Sequence, residues 1–145
     1  MPHIDPHQLV ETQRQDWNRV APAWEKWDQV LDHNLAFVNY RLVGDARLRP
    51  GQRVLDLGSP AILAAYAVGP RGSVVGLDLA DSMLDAARRK AQRLGLTNIT
   101  FRTSDISSLP FDAGSFNAVI SRFCLMFLPD VPKAVGEIAR VLQPG

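Results

Sequence analysis

The chain has 145 residues, 46% of them hydrophobic, and a formal net charge of +1. That length bounds it at one domain of ordinary globular composition. The near-neutral balance argues against a phosphate-tracking surface, so neither nucleic acid nor an anionic membrane is an expected partner. A single cysteine, Cys124, excludes an internal disulfide and points to a cytoplasmic setting. No apolar run approaches the ~20 residues that cross a bilayer. The N-terminus lacks a charged-then-apolar targeting pattern. His3 and His7 read as part of a loose polar terminus, and no metal site is expected.

In chain order, the first fifty residues read as helices. Gln8 to Val20 is polar with spaced apolar positions, and Pro22 suits the first turn of a second helix. Trp17, Trp24 and Trp27 fall at helical spacings. Asp32 is placed to cap a third helix over Leu35, Phe37, Val38, Leu42 and Val43, which Arg49-Pro50-Gly51 ends. The period then changes. Arg53 to Leu57 reads as a strand and Ala61 to Val68 as a short helix. Gly69-Pro70-Arg71-Gly72 is a turn. Ser73 to Leu77 is a second strand, and Asp81 to Leu94 is a helix stopped by Gly95. Asn98 to Arg102 is a third strand. A loop containing Leu109-Pro110-Phe111 leads to a fourth strand, Phe116 to Ser121. Asp130 caps a last helix, Val131 to Leu142. The pattern predicts an α/β fold, with residues 1–50 as an N-terminal helical cap and 51–145 as the core. Strands alternating with helices imply a Rossmann-like parallel sheet. Right-handed crossovers order it 3-2-1-4, and ligands then bind at the switch point between strands 1 and 4.

Acids stand at the ends of three of these strands. Asp56, in Val54-Leu55-Asp56-Leu57-Gly58, could anchor an ammonium group, directly or through water. Its alternative is a structural acid capping a nearby helix. Gly58 follows at the spacing that a close backbone approach requires. Asp78 ends the second strand, 22 residues on. An acid there bonds ribose hydroxyls in dinucleotide folds; otherwise it faces the dipole of the helix that follows. Asp105, after the third strand, could accept from an adenine amino group. Arg88, Arg89, Lys90 and Arg93 read most simply as a solvated helix face. Cys124, beside Leu125, Met126 and Phe127, reads as a buried small hydrophobe. The tryptophans serve either as a lid over substrate or as packing between helices and sheet.

These residues together resemble a class I S-adenosylmethionine-dependent methyltransferase of the small-molecule, ubiquinone/menaquinone-methyltransferase-like branch. The matching segments are Val54-Leu55-Asp56-Leu57-Gly58, Val74-Val75-Gly76-Leu77-Asp78-Leu79, Ser82-Met83-Leu84, Asp105 with Leu109-Pro110-Phe111, Ser115-Phe116-Asn117-Ala118-Val119, and Arg140-Val141-Leu142-Gln143-Pro144-Gly145. The resemblance implies S-adenosylmethionine as cofactor, S-adenosylhomocysteine as product and a small-molecule acceptor. It puts Asp56 and Gly58 near the methionine part and Asp78 on the ribose. Leu79 and Met83 then pack by the adenine, Asp105 and Ile106 lie at its edge, and Ser121 and Arg122 line the pocket floor.

The chain departs from the family in two places. The first motif should run Asp-x-Gly-x-Gly-x-Gly, whose glycines let backbone amides meet the ligand. Here Ser59-Pro60 follows Gly58 directly, about four residues short of the pattern. Ser59 as N-cap and Pro60 at the first helical position still make sound helix-starting chemistry. The chain also ends where a fifth strand should begin, leaving strand 4 as an apolar edge expected to drive self-association. Methyl transfer impaired by the short loop and the truncation is therefore the expected function. The alternative is a non-catalytic Rossmann-like remnant that self-associates or binds nucleotide weakly. A nicotinamide dehydrogenase fits poorly, because Gly-x-Gly-x-x-Gly is absent. No side chain stands out as a general base; His33 and Tyr40 are candidates, each better read as core.

Overall fold

A computed structural model describes residues 5–58 and 61–145. His3 and the Ser59-Pro60 helix start lie outside the described residues. The elements are α1 (Pro6–Lys26), α2 (Asp28–Asp45), β1 (Arg53–Leu57), α3 (Ala61–Val68), β2 (Ser73–Asp78), α4 (Asp81–Arg93), β3 (Ile99–Thr103), β4 (Ala118–Ser121), a 3-10 turn (Leu125–Phe127) and α5 (Val131–Val141). The four strands are parallel in the order β3-β2-β1-β4, as the alternation of strands and helices requires.

Period-2 alternation sorts the strand residues onto two faces. Val54, Val74 and Ile120 pack with Ala61, Ala64, Ala65 and Val68 of α3. Leu55, Leu57, Val75 and Leu77 pack with Phe116, Ala134 and Val141 on the α5 side. Asp56 shares the α3-side face with Val54 and is 1% exposed. Gly76 lies beside it in the register. A Cβ at Gly76 would stand 2.8 Å from the Phe101 ring and 3.5 Å from Ala61, so the missing side chain is what lets α3 and Phe101 meet over the sheet.

The N-terminal helices differ from the sequence expectation. Asp5 caps α1 by accepting the His7 amide at 3.0 Å, and Pro6 opens the first turn. Pro22 lies inside α1 and starts no new helix. Lacking an N–H, it leaves the Asn18 carbonyl without its helical donor, while Trp17 and Trp24 pack across the site with ring centroids 6.1 Å apart. The break falls at Trp27, at φ −98° and ψ 13°. Asp32 is inside α2 and caps nothing; its carboxylate is drawn to Lys90 of α4. Two helices therefore stand where three were expected.

Polar ties fasten this pair to the core. The α4 N-terminus has no side-chain cap of its own, and Asn18 supplies one by accepting the Ser82 amide at 2.9 Å. Arg89 forks onto Glu25 at 2.8 and 2.7 Å, and Lys90 reaches Asp28 at 2.7 Å. The basic face of α4 is thus an interhelical ion-pair seam, with Arg88 paired within its own helix to Asp85.

The outer side of β4 is covered at its start. Phe116 forms a parallel bridge with Leu142: its amide donates to Val141 at 3.0 Å and its carbonyl accepts from Gln143 at 2.9 Å. The regular strand begins at Ala118, two residues past this bridge. Among the described residues, Ala118–Ser121 pairs with β1 alone.

Candidate functional site

The carboxyl ends of β1, β2 and β4 converge at the switch point. Two cavities open there. The larger, ≈ 460 Å³, lies between α2 and the α3–α4 face, with Asp56, Gly58, Asp78 and Arg122 at its sheet end. The smaller, ≈ 260 Å³, sits under α1 and the 3-10 turn and is lined by Asp78, Leu79, Met83, Asp105 and Ile106. Gly58, Asp78, Met83, Arg122 and Trp24 line both.

Of the sequence-derived candidates, the structure brings Gly58, Asp78, Leu79, Met83, Asp105, Ile106 and Arg122 to the smaller cavity and Asp56 to the larger one. Ser121 lines neither; its hydroxyl donates to the Leu57 carbonyl at 3.1 Å, tying β4 to β1. Gly58 sits at φ +87°, and its amide donates to Leu77 at 2.9 Å. Its glycine identity therefore serves a left-handed turn and a tight approach to Cys124. That N–H is already committed within the protein.

Asp78 accepts the Ala80 amide at 2.9 Å. Burial pushes its carboxyl above the ordinary value, with the Ala80 and Leu79 amides pulling the other way. Asp105 organises its own loop by accepting the Ser107 amide at 2.8 Å. Arg122 follows β4. Burial lowers its pKa, while Asp56 and then Asp32 hold it up. Its guanidinium bonds the Asn39 side-chain oxygen of α2 and sits over the Phe123 ring at 5.8 Å. Burial raises the Cys124 thiol to about 12, with Asp78 and Asp56 adding to the effect. It is thus a neutral, partly buried thiol packed among apolar neighbours.

The roof carries groups that the sequence left open. Trp17 meets Phe127 edge-on with centroids 5.6 Å apart, and Gln13 donates to the Phe127 carbonyl at 2.8 Å. Trp17 and Trp24 both line the smaller cavity; Trp27 points to solvent. His33 and Tyr40 are exposed at the larger cavity's rim, contrary to the core role read for them. On the floor side, Arg140 donates to the Leu109 and Phe111 carbonyls at 2.9 and 2.8 Å, and Glu137 accepts the Leu109 amide at 2.7 Å. This latch fixes the loop that carries Asp105 and Ile106. No local signal marks it, beyond an acid and a base three residues apart on one helix face.

Residues 55–145 match a family model described as a methyltransferase domain. The chain is 38% identical over 104 residues to an arsenite methyltransferase of Halobacterium salinarum, covering 69% of this chain and 27% of that protein. It is 30% identical over 130 residues to a demethylmenaquinone methyltransferase of Symbiobacterium thermophilum, covering 86% and 47%. It thus spans less than half the length of either relative. The crystal structure of a SAM-dependent methyltransferase from Aquifex aeolicus shares the fold, with a TM-score of 0.65 at 22% identity over 98% of this chain and 69% of that one. By sequence and by fold, the chain belongs to the class I methyltransferase domain family, and that membership implies S-adenosylmethionine as its cofactor.

Proposed function

We propose that this chain binds S-adenosylmethionine at the switch-point mouth and takes part in methyl transfer to a small-molecule acceptor. One observation carries the reading. The acid at the end of β2, Asp78, borders a cavity whose walls include Leu79, Met83 and Ile106. A carboxylate that can accept from ribose hydroxyls, beside an apolar slot that can hold a purine, fits the adenosine half of the cofactor. Asp56 is the acid for the ammonium group, and Asp105 and Ile106 lie where the adenine edge would fall. When bound, the cofactor supplies a methyl group activated by the sulfonium. The chain's own part is to orient and desolvate the reacting groups, which can supply much of the rate for such a displacement. Trp17, Trp24 and Phe127 serve this by roofing the cavity.

The division into a helical cap at 1–50 and a core at 51–145, a cytoplasmic setting and self-association along β4 belong to the same proposal. Sedimentation equilibrium returning only monomer at high micromolar concentration would remove the self-association.

A second reading, a binding module without catalysis, is favoured by the committed Gly58 amide. Calorimetric titration with S-adenosylhomocysteine tests both readings, and saturable heat is expected. Absence of heat at millimolar ligand would sink the cofactor reading. Saturable heat without methyl transfer to any quinol, phenol or amine acceptor would leave the binding module.

A further inference from the structure

Glu137 and Arg140 stand on α5 and line neither cavity, yet they hold the loop that borders the smaller one. Leu109 is 4% exposed, and burial obliges its N–H and C=O to find partners. Helix α5 supplies both. Glu137 Oε2 accepts the Leu109 amide at 2.7 Å, and Arg140 Nη2 donates to the Leu109 carbonyl at 2.9 Å. Arg140 Nη1 also donates to the Phe111 carbonyl at 2.8 Å, while Nε and Nη2 fork onto Glu137 at 2.7 and 2.8 Å. From another side, Arg102 of β3 donates to the Pro110 carbonyl at 3.3 Å and lies over the Phe111 ring at 5.4 Å. Just upstream, the Asp105 carbonyl accepts the Ser108 amide at 3.2 Å and its carboxylate accepts the Ser107 amide at 2.8 Å. The turn that presents Asp105 thus closes at Ser108, and the clamped stretch begins at the next residue. Of the segment 105–111, Asp105 and Ile106 line the smaller cavity.

Building on the cofactor reading of the smaller cavity, we propose that Arg140 is a positioning residue for base selectivity: through Leu109 and the Ser108 turn it holds the Asp105 carboxylate where it accepts from the amino group of adenine. Hypoxanthine carries a carbonyl oxygen in place of that amino group, and a fixed carboxylate rejects it. Without Arg140 the buried Leu109 carbonyl loses its donor, and the loop must shift to reach water. Asp105 then loses the placement that tells an amino group from a carbonyl. Arg140 touches no ligand; it acts through the loop.

The test is calorimetric titration of wild type, Arg140→Met, Asp105→Asn and the double variant with S-adenosylhomocysteine and with S-inosylhomocysteine. The readout is the ratio of the two affinities. A smaller folded fraction weakens both ligands by one factor and cancels from that ratio, so a merely structural role leaves it unmoved. Wild type is expected to prefer the adenine ligand by about tenfold or more, the worth of a hydrogen bond to a charged group. Arg140→Met and Asp105→Asn should each cut the preference to about threefold or less, and the double variant should go no further than Asp105→Asn alone. Glu137→Gln keeps an acceptor for the Leu109 amide but slackens the fork. It should lower the ratio by about twofold or more, and it serves if Arg140→Met does not fold. A wild-type ratio in the α5 variants, with Asp105→Asn still lowering it, overturns the proposal alone. Additive losses in the double variant also overturn it, because Arg140 would then act apart from Asp105. A wild type without base preference removes Asp105 from the adenine edge and the proposal with it. If neither ligand binds any of the proteins, the cofactor reading itself fails and takes the proposal with it.

Discussion

Replacing Gly58 with alanine tests how the switch point is built. Two costs meet at this residue. A side chain at φ +87° enters the left-handed region, at about 1–2 kcal/mol. Its Cβ would also stand 3.0 Å from Cys124 Cβ and 3.3 Å from Cys124 Sγ, and crowding of this kind in a packed site adds about 1–3 kcal/mol. Alanine's stiffer unfolded chain returns roughly 0.4–1 kcal/mol. The net expectation is a loss of about 2–3 kcal/mol, read by urea denaturation at constant m-value. The two costs separate in a double-mutant cycle with Cys124→Gly, which deletes both crowding atoms and leaves the dihedral cost. In that background Gly58→Ala should lose only about 1 kcal/mol, a coupling of about 1–2 kcal/mol. Equal losses in both backgrounds would refute the crowding argument. A Gly58→Ala protein within about 0.5 kcal/mol of wild type, the usual range for inconsequential surface changes, would refute both.

The other predictions concern two acids. Burial raises the Asp78 pKa, so its ionisation opposes folding once pH exceeds the unfolded value and does so fully above the folded one. Asp78→Asn should therefore stabilise the ligand-free protein at neutral pH, by about 0.5–1 kcal/mol, while abolishing S-adenosylhomocysteine binding; a destabilised variant would contradict this. In wild type, affinity should fall as pH drops through that raised pKa, because the protonated acid accepts ribose hydroxyls poorly. Glu137 has the opposite sign. The Arg140 fork, aided by the Leu109 amide, lowers it to about 2. Its contribution is complete above the unfolded pKa and lost as pH falls from there to about 2. Glu137→Gln should cost about 1 kcal/mol at pH 7, in keeping with a partly exposed hydrogen-bonded pair, and nothing near pH 2. A pH-independent difference in urea midpoints would rule out the charge.

The core elements were legible in the sequence because their signals are local. Val54-Leu55-Asp56-Leu57-Gly58 and Val74-Val75-Gly76-Leu77-Asp78 are apolar runs ended by an acid, and they fold as β1 and β2 in the expected order. Asp130 caps α5 as expected, accepting the Lys133 amide at 2.9 Å. Misreadings arose where distant residues compete for a local role. Asp32 looks like a cap until Lys90, 58 positions away, claims its carboxylate. Of the α4 cations, Arg88, Arg89 and Arg93 keep the solvated face read for them, while Lys90 is drawn in by Asp28 and Asp32. Pro22 looks like a helix start, yet α1 runs through it, with Trp17 and Trp24 packed along the helix on either side and Trp17 set against Phe127. Arg122 could be placed near the pocket from its position after β4. Its anchor, Asn39, lies 83 residues away and leaves no trace in the sequence pattern.

Helix α1 touches the rest of the protein through Gln13 on the 3-10 turn, Asn18 on α4 and Glu25 farther along α4. Pro22 falls between the second and third of these points. The helix is therefore mechanically two rods in series, with a compliant joint where the backbone ladder lacks a rung. The rod before the joint roofs the smaller cavity with Trp17; the rod after it is pinned by the arginine fork at the larger one. Both rods are tied down, the first at Gln13 and Asn18 and the second at Glu25, so bending at the joint loads the ties over both cavities at once.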